Sequence, residues 1–262
     1  MSAVFAGMAD GSLAIWDLRG RYSLHKSLIV TSRLPHREWQ LKLPSYSTAS
    51  VLGSDNHFSP VVSVQSPVQS TRELSLQGFS ETSESFIVLS LDEDGVIIVW
   101  TVVETNSNPA GSDDDLGIAP FGRLRLLRSS TIQLQNAIPV AGPHLDVLRT
   151  FDMQVSPIQR THIFVATNLG LVLHCARHGG SVSPKYYKSR HEETIAQVNC
   201  IAFSPHNLPF FLVGCSNGSL RLHSTHCETS LMEWQSPTEE PVHSVQWSPS
   251  DPTKFFSVGS DG

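Results

Sequence analysis

The 262 residues are 40% hydrophobic and 16% charged, which is enough apolar content for a packed core and too little charge for a disordered chain. The net charge of −6 argues against a surface that neutralises nucleic-acid phosphates. No apolar run reaches the ~18 residues of a membrane-spanning helix, and Met1 onward shows no signal-like pattern. We therefore expect a cytosolic globular protein with no nucleic-acid partner and no membrane insertion, whose thiols are reduced and structural, namely Cys175, Cys200, Cys215 and Cys227.

One phrase recurs along the chain: a turn of small residues that ends in Gly, followed by an apolar run typical of a β-strand. The five copies are Phe5–Leu18, Leu89–Val102, Phe164–Ala176, Leu212–Ser224 and Ser257–Gly262. Their turn glycines are Gly11, Gly95, Gly170, Gly218 and Gly262. Five copies of one supersecondary element are a simpler explanation than five active sites, so the phrase predicts a repeat architecture.

The spacing of these glycines indicates the size of the repeat. Gly170 and Gly218 lie 48 residues apart, and Gly218 and Gly262 lie 44 apart, close to the roughly 40 to 45 residues of a β-propeller blade. The intervals from Gly11 to Gly95 and from Gly95 to Gly170 are longer, 84 and 75 residues. We interpret the excess as insertions, because residues 104–120 are rich in Asn, Gly, Ser, Asp and Pro.

The predicted elements are short strands throughout, and no long segment has a helical period. The clearest pair of strands, Val198–Phe203 and Phe210–Val213, is separated by Ser204-Pro205, where proline ends the first strand. In chain order we predict a part-blade over 1–18, a blade over 58–103 after a long connection, an insertion over 104–120, a blade over about 121–178, a blade over about 195–224 and a truncated blade over about 231–262. The fold class is therefore all-β, an incomplete propeller over residues 1–262.

Two motifs suggest chemistry but fit structure better. Residues 214–218 match the hydrolase pattern G-x-S-x-G, yet that pattern needs a strand entering a helix, and here another strand follows. His174, Cys175 and His178 could suggest zinc, but no pairing of ligands completes a set of four. We predict no catalytic residue, no cofactor and no metal.

A basic stripe is the one candidate for a partner contact. Arg123, Arg125 and Arg128 interleave with leucines. Two interpretations remain open: an outer blade strand whose arginines face solvent, which is common for edge strands, or a binding patch. The acidic residues 112–115 indicate the solvated tip of the insertion.

A family resemblance follows from these residues. The Trp16-Asp17 pair, the Ser-Pro turns at Ser204-Pro205 and Ser248-Pro249, and the Asp-Gly and Asn-Gly hairpins resemble WD-repeat propellers, in which Trp100 and Trp247 are further repeat signatures. Residues 4–19, 173–180, 214–224 and 242–256 together resemble the propeller of dynein intermediate chains, and the segment 110–134 is similar to an insertion of the cytoplasmic dynein 2 type.

The chain also departs from the family pattern. Trp100 is followed by Thr101, so one blade alone keeps Trp-Asp. The Gly-His pair of regular WD repeats is missing, and the hydrogen-bond network that it supports is therefore not expected. About seven blades are typical of the family, whereas about five blades or part-blades are visible, so we expect a fragment or a truncated gene model.

The resemblance implies a non-catalytic motor subunit. Dynein intermediate chains hold the tail of a dynein heavy chain with the propeller, work beside a second intermediate chain, and bind light chains through an N-terminal region absent here. The dynein 2 type serves retrograde intraflagellar transport, which implies a location in the cytoplasm, at the cytoskeleton, and in the cilium and its base. A generic WD-repeat scaffold or adaptor that binds a peptide or another protein is the alternative.

Overall fold

The computed structural model describes residues 2–19, 26–27, 39–40, 42–50, 56–67, 86–104, 117–118, 122–138, 147–191, 196–236 and 239–260. Its strands are β1 (Ala3–Gly7), β2 (Leu13–Asp17), β3 (Lys26–Ser27), β4 (Trp39–Gln40), β5 (Tyr46–Ser47), β6 (Val61–Gln65), β7 (Phe86–Asp92), β8 (Val96–Glu104), β9 (Leu124–Gln133), β10 (Thr150–Val155), β11 (His162–Thr167), β12 (Val172–Ala176), β13 (Tyr186–Tyr187), β14 (Val198–Phe203), β15 (Phe210–Cys215), β16 (Ser219–Ser224), β17 (Met232–Gln235), β18 (Val242–Trp247) and β19 (Phe255–Gly259). Two 3-10 turns, Thr48–Ser50 and Leu134–Ala137, are the helical elements within these ranges.

The strands form a series of antiparallel sheets. Three sheets have four strands, in the orders β6-β7-β8-β9, β10-β11-β12-β13 and β14-β15-β16-β17. The chain begins with the three-stranded sheet β1-β2-β5, ends with the pair β18-β19, and carries the small hairpin β3-β4 besides. Consecutive sheets pack through their first strands, since β6 contacts β10, β10 contacts β14 and β14 contacts β18. Each four-stranded sheet is thus one blade, numbered here with the first sheet as blade one and β18-β19 as blade five.

The core consists of apolar layers between neighbouring blades. On β7, Val88 packs toward blade one, while Leu89 and Leu91 pack toward blade three. Phe164 of β11 and Phe211 of β15 meet in the layer between blades three and four. Because side chains of a strand alternate between the two faces, a strand with neighbours on both sides needs apolar residues at successive positions. This explains the continuous apolar runs in the sequence phrase.

A bulge recurs in the first strand of the last four blades. The register shifts by one residue between Val61 and Ser63, and at the corresponding places in the other three strands, Thr150/Asp152, Val198/Cys200 and Val242/Ser244. The bulges bring polar groups of adjacent first strands together. Asn199 donates from Nδ2 to the Val242 carbonyl at 3.0 Å, and the Asp152 carboxylate accepts the backbone N–H of Ile201 at 3.0 Å. Burial raises the pKa of Asp152.

The turn glycines adopt the conformation that such turns require. Gly11, Gly95, Gly170 and Gly218 all have φ between +71° and +83°, a region that side chains rarely enter. Gly95, Gly170 and Gly218 each join the second to the third strand of a four-stranded blade, and Gly11 joins β1 to β2, the first two strands of blade one. Each turn is followed by the strand that pairs with the outermost strand of its blade, so the four turns lie at the same end of the sheets. Gly262 lies outside the described residues.

The blade boundaries predicted from the sequence pattern are wrong at the outermost strands. The pattern starts a new blade near residue 121, but Leu124–Gln133 pairs with β8 and completes blade two. Likewise Met232–Gln235 completes blade four rather than opening the next, and Tyr46–Ser47 extends the part-blade predicted over 1–18. These strands follow long or irregular connections and are partly solvated, so they lack the apolar run that marks the inner strands.

The insertion predicted over 104–120 is described in part. Residue 104 ends β8, and most of the segment lies outside the described residues. Gly117 and Ile118 form a bridge to blade one: the Ser47 N–H donates to the Gly117 carbonyl at 2.9 Å, and Ile118 pairs with Tyr46. A Cβ on Gly117 would stand 2.6 Å from the Ser47 carbonyl oxygen, so only glycine fits this approach.

Three alanine substitutions separate backbone strain from crowding at the turns. Gly218→Ala combines φ of +76° with backbone atoms of Glu239 and Glu240 at 2.9 to 3.1 Å from the new Cβ. Gly179 has φ of +72° but open space, and Gly180 has open space without a positive φ. We expect the free energy of unfolding to fall by about 2 kcal/mol or more for Gly218→Ala, by about 1 kcal/mol for Gly179→Ala, and negligibly for Gly180→Ala.

Urea denaturation of the three variants measures these differences. Equal losses for Gly218→Ala and Gly179→Ala would contradict a tight approach between the blade-four turn and the connection to blade five.

Candidate interaction surfaces

Blade two contains a buried chain of four polar side chains. The Trp100 indole N–H donates to Ser90 Oγ at 2.7 Å. Ser90 Oγ lies 2.6 Å from His57 Nε2, and His57 Nδ1 lies 2.9 Å from Asp92 Oδ2. Asp92 also accepts the Val96 N–H at 2.8 Å, which closes the Gly95 turn. With the proton on His57 Nδ1, every donor in the chain meets an acceptor, so the network ties the connection before β6 to the middle of the blade.

This network corrects an expectation from the sequence. The absent Gly-His pair predicts that the network is missing, and in blade two that prediction is wrong, because Asn56-His57 supplies the histidine instead. The sequence did carry a signal for the other three side chains of the network, because Ser90, Asp92 and Trp100 all lie within five residues of the turn glycine Gly95. No local pattern identifies His57, because it lies 38 positions before Gly95 in the sequence.

The same atoms resemble a Ser-His-Asp catalytic triad in connectivity, but they cannot act as one. Ser90 is 0% exposed, and its oxygen already accepts the indole N–H of Trp100. His57 and Asp92 are also buried. A nucleophile must reach a substrate carbon and leave space for an oxyanion, and no substrate atom can approach this hydroxyl. The arrangement therefore stabilises the blade and performs no chemistry.

The other repeat signatures also have structural contacts. The Trp16 indole donates to the Lys42 carbonyl at 3.0 Å, and the Trp247 indole of blade five donates to the Ala202 carbonyl of blade four at 2.9 Å. Asp17 is buried and forms an ion pair with Arg19 at 3.2 Å. Burial raises the pKa of Asp17, but hydrogen bonds and the charge of Arg19 outweigh it and hold the pKa below its usual value.

Histidine replaces tryptophan at the corresponding place of blade four. His223 stands five residues after the turn glycine, as Trp100 does, and its ring stacks on Phe211 with centroids 5.1 Å apart. Its Nδ1 atom is buried with no hydrogen-bond partner in the described part of the chain. Burial lowers the pKa of His223 to about 3 and that of His174, in blade three, to about 4.

The predicted basic stripe lies at the periphery of blade two. Arg123 is exposed just before β9, Arg125 is half-buried on the strand, and Arg128 is exposed. Arg128 donates from Nε and Nη2 to Thr131 Oγ1 at 3.1 and 2.8 Å, which holds its guanidinium along the strand. The structure thus places Arg125 and Arg128 on the outermost strand of a blade and Arg123 just before it, and a partner contact there stays a prediction.

A second surface surrounds the turn glycines. We call it the turn face and define it by the four turns and the exposed residues beside them, Phe58 and Val147. Phe58 is 95% exposed and Val147 is 73% exposed. His57, next to Phe58, donates its N–H to the Gly11 carbonyl, and the Val147 carbonyl accepts from Asn168 in the blade-three turn. Single exposed apolar residues are common on protein surfaces, so it is their position beside the loops of one end of the sheets that makes this face a candidate contact site.

The described residues contain no group of three or more His, Cys, Asp or Glu side chains placed to hold a metal ion. In the same ranges, no helix is long and apolar enough to cross a bilayer. His174 does lie close to another histidine, with Nε2 2.8 Å from His162 Nδ1, but its Nδ1 bonds to the Pro184 carbonyl. Cys175 is half-buried, and burial raises its thiol pKa to about 12, which disfavours the thiolate that metals bind.

The series of packed blades and the Trp-Ser-His-Asp network define the class of this protein: it is a WD-repeat β-propeller. A solved relative in fold is the crystal structure of Chaetomium thermophilum Sqt1 bound to the N-terminus of the ribosomal protein L10. The two share a TM-score of 0.56 and 16% identity, over 99% of this chain and 54% of that chain. The all-β propeller predicted from the sequence is confirmed.

The sequence comparison is more specific. The chain is 37% identical over 264 aligned positions to cytoplasmic dynein 2 intermediate chain 1 of Homo sapiens and of Mus musculus. The match covers 97% of this chain but 24% and 26% of the two relatives, so the chain spans about a quarter of their length. The predicted resemblance to the WD-repeat propeller of a dynein intermediate chain is thus confirmed. No protein-family model matches the chain.

Removing the central hydroxyl of the blade-two network tests its contribution. Ser90→Ala leaves the Trp100 indole N–H and His57 Nε2 buried without their shared partner. We expect a loss of about 1 to 3 kcal/mol in the free energy of unfolding. Ser219→Ala is the matched control, because this buried serine donates through Oγ to Asn217 in its own turn and takes no part in the blade-two network. Denaturant unfolding that shows equal losses for the two variants would contradict the network's role.

The buried histidines predict an acid-sensitive fold. The unfolded chain takes up protons near the ordinary histidine pKa of 6.5, whereas folded His223 takes one up only near pH 3. Stability is therefore full above pH 6.5 and falls as the pH drops below it. His223 alone lowers the free energy of unfolding by about 2 kcal/mol between pH 7.5 and pH 5.

His223→Phe keeps a ring on Phe211 and removes this proton uptake. Urea unfolding at the two pH values measures the difference, and we expect it to be about 2 kcal/mol smaller in the variant. An unchanged difference would show that His223 is not buried in its neutral form.

Proposed function

We propose that this chain is part of a non-catalytic intermediate-chain subunit of the cytoplasmic dynein 2 motor. The observation that carries the proposal is the 37% identity with cytoplasmic dynein 2 intermediate chain 1 along 97% of this chain. An identity that extends through every blade, and not through one motif alone, supports a shared role for the surfaces as well as the fold.

The internal chemistry of the fold supports a binding role. The constellation that most resembles catalytic machinery, His57 with Ser90 and Asp92, is sealed in the blade-two core. Polar groups of neighbouring blades bond to one another, as Asn199 does to Val242. Exposed side chains on the turn face and on the outer strands are available to other molecules. The protein would therefore act by presenting surfaces to partners.

The turn face is the surface that we assign to the tail of the dynein heavy chain. Loops at one end of a propeller are positioned by rigid blades and are free to vary, which suits them to binding. Phe58 and Val147 give this face apolar anchors, and their exposure exceeds that of any other large hydrophobic side chain in the described residues. Anchors of this kind contribute much of the binding energy of an interface.

The cellular setting follows from the same proposal. As part of dynein 2, the protein would work beside a second intermediate chain in retrograde intraflagellar transport. It would be found in the cytoplasm and on the ciliary cytoskeleton, with a concentration at the base of the cilium.

Affinity purification from ciliated cells tests the assignment. The bait is the complete protein that contains this chain, with an affinity tag, and we expect it to enrich the dynein 2 heavy chain. The double variant Phe58→Asp/Val147→Asp should recover less heavy chain by about tenfold or more, because it buries two charges at the contact.

Ile158→Asp is the matched control. Ile158 is an exposed apolar residue between β10 and β11, at the end of the sheets opposite the turn face. Equal recovery with all baits would remove the turn face from the interface. A bait that never enriches the heavy chain and locates to the nucleus would favour a WD-repeat adaptor instead.

A further inference from the structure

We propose that Ser181, in the connection between β12 and β13, is a phosphorylation site whose phosphate is held by basic side chains of the same blade. The connection belongs to blade three and lies at the end of the sheets opposite the turn face, where β10 also joins β11. The proposal concerns reversible control of this end of the propeller and does not depend on heavy-chain docking.

The connection is open to another protein. Residues 178–181 are exposed. Gly179 has φ of +72°, and a Cβ on Gly179 or Gly180 would meet nothing within 4 Å. Within the described part of the chain, residues 180–183 form no hydrogen bond. Segments with so few contacts leave the folded surface at a small cost in free energy, so this one can enter the substrate groove of a kinase.

Ser181 differs from the other serines at this end of the sheets. Its side chain is exposed, and its hydroxyl has no hydrogen-bond partner among the described residues. The serines of the first connections in the last three blades are buried and accept main-chain N–H groups in their own turns: Ser156, Ser204 and Ser248. Ser183 is also exposed, but the following Pro184 has a fixed φ and no N–H. Ser181 follows two glycines, so the backbone before it can adapt to a kinase.

The charge of blade three suits a phosphate. No acidic residue occurs between Asp152 and Glu192, although the chain as a whole has a net charge of −6. The same stretch contains five cationic side chains: Arg160, Arg177, Lys185, Lys188 and Arg190. A phosphate carries a charge of about −1.5 to −2 at neutral pH, and on Ser181 it would have cations and no carboxylate from this stretch around it.

Two of these cations still lack an acceptor. Within the described ranges, the side chains of Arg160 and Lys185 form no ion pair and no hydrogen bond. Lys185 is exposed, while Arg160 is half-buried and its Nη1 atom has no partner. Both lie beside β12, because the Arg177 N–H donates to the Thr161 carbonyl at 2.8 Å and the His174 N–H donates to the Lys185 carbonyl at 2.9 Å. Phosphate oxygens are strong acceptors for such donors.

The modification is an ordinary phosphoryl transfer from ATP by a protein kinase. Ser181 Oγ forms a bond to the γ-phosphorus of ATP. The bond from that phosphorus to the β–γ bridging oxygen breaks, its electron pair leaves with ADP, and the hydroxyl proton passes to the catalytic aspartate of the kinase. Arg160 and Lys185 would then hold the phosphate by charge-assisted hydrogen bonds and fix the connection against the ends of the strands.

Mass spectrometry after a kinase reaction tests the acceptor. The 262-residue chain is incubated with Mg-ATP and a serine kinase that selects basic substrates. We expect up to one phosphate per chain, on Ser181. It should be lost in Ser181→Ala and retained in the matched control Ser183→Ala. Absence of phosphate from residues 178–185, or phosphate there that persists in Ser181→Ala, would overturn the proposal.

Phosphorus NMR tests whether the phosphate is held. Phosphoserine is installed at position 181 during synthesis, and its resonance is followed between pH 5 and pH 8. The second pKa of phosphoserine is ordinarily about 6. Nearby cations favour the dianion, so we expect a pKa lower by about half a unit or more.

A pair of charge-removing variants locates the cations. Arg160→Gln/Lys185→Gln should return the phosphate pKa to about 6. Arg149→Gln/Lys254→Gln removes the same charge elsewhere and should leave the pKa as in the parent. A parent with an unshifted pKa, or equal values in both variants, would contradict capture by Arg160 and Lys185. Enrichment of the heavy chain tests the proposed function separately, so either idea can fail without the other.

Discussion

The packing of each blade against two neighbours is the constraint on which the rest of the structure depends. β7 shows it directly, because Val88 faces one layer and Leu89 and Leu91 face the next. Since successive side chains point to opposite faces, a shift of register by one residue would exchange the two layers. The inner strands must therefore hold a fixed register along their whole length. The tight glycine turns and the bulges in the first strands maintain that register from blade to blade.

Burial on both faces also decides what polar side chains can do. A buried polar atom needs a partner, and the blade-two network satisfies four side chains with one another. Asp152 and Asn199 satisfy main-chain groups between adjacent first strands in the same way. Groups that could have reacted are thereby engaged in holding blades together. The turns at one end of the sheets and the outermost strands keep exposed side chains.

The constraint weakens with distance from the first strands. Inner strands resemble one another from blade to blade, while the outermost strands range from the two residues of β5 to the ten of β9. An outermost strand has a neighbour on one edge only, and much of its surface is solvated. Its sequence can therefore change without loss of the core. The arginines of β9 lie in such a strand, where packing allows the sequence to change.

The sequence by itself determined the repeat and its class, because the turn glycines and the two-faced apolar runs are local requirements that appear in every blade. It also determined the resemblance to dynein intermediate chains through segments spread over the chain. Only the tertiary structure decided that Leu124–Gln133 closes blade two, that Gly117 reaches the edge of β5, and that His57 completes a network with Ser90, Asp92 and Trp100. Each of these contacts joins residues that are far apart in sequence, and the long connections between them carry no periodic pattern. The packing of the blades determines which side chains meet across such connections. A local sequence pattern contains no information about that packing.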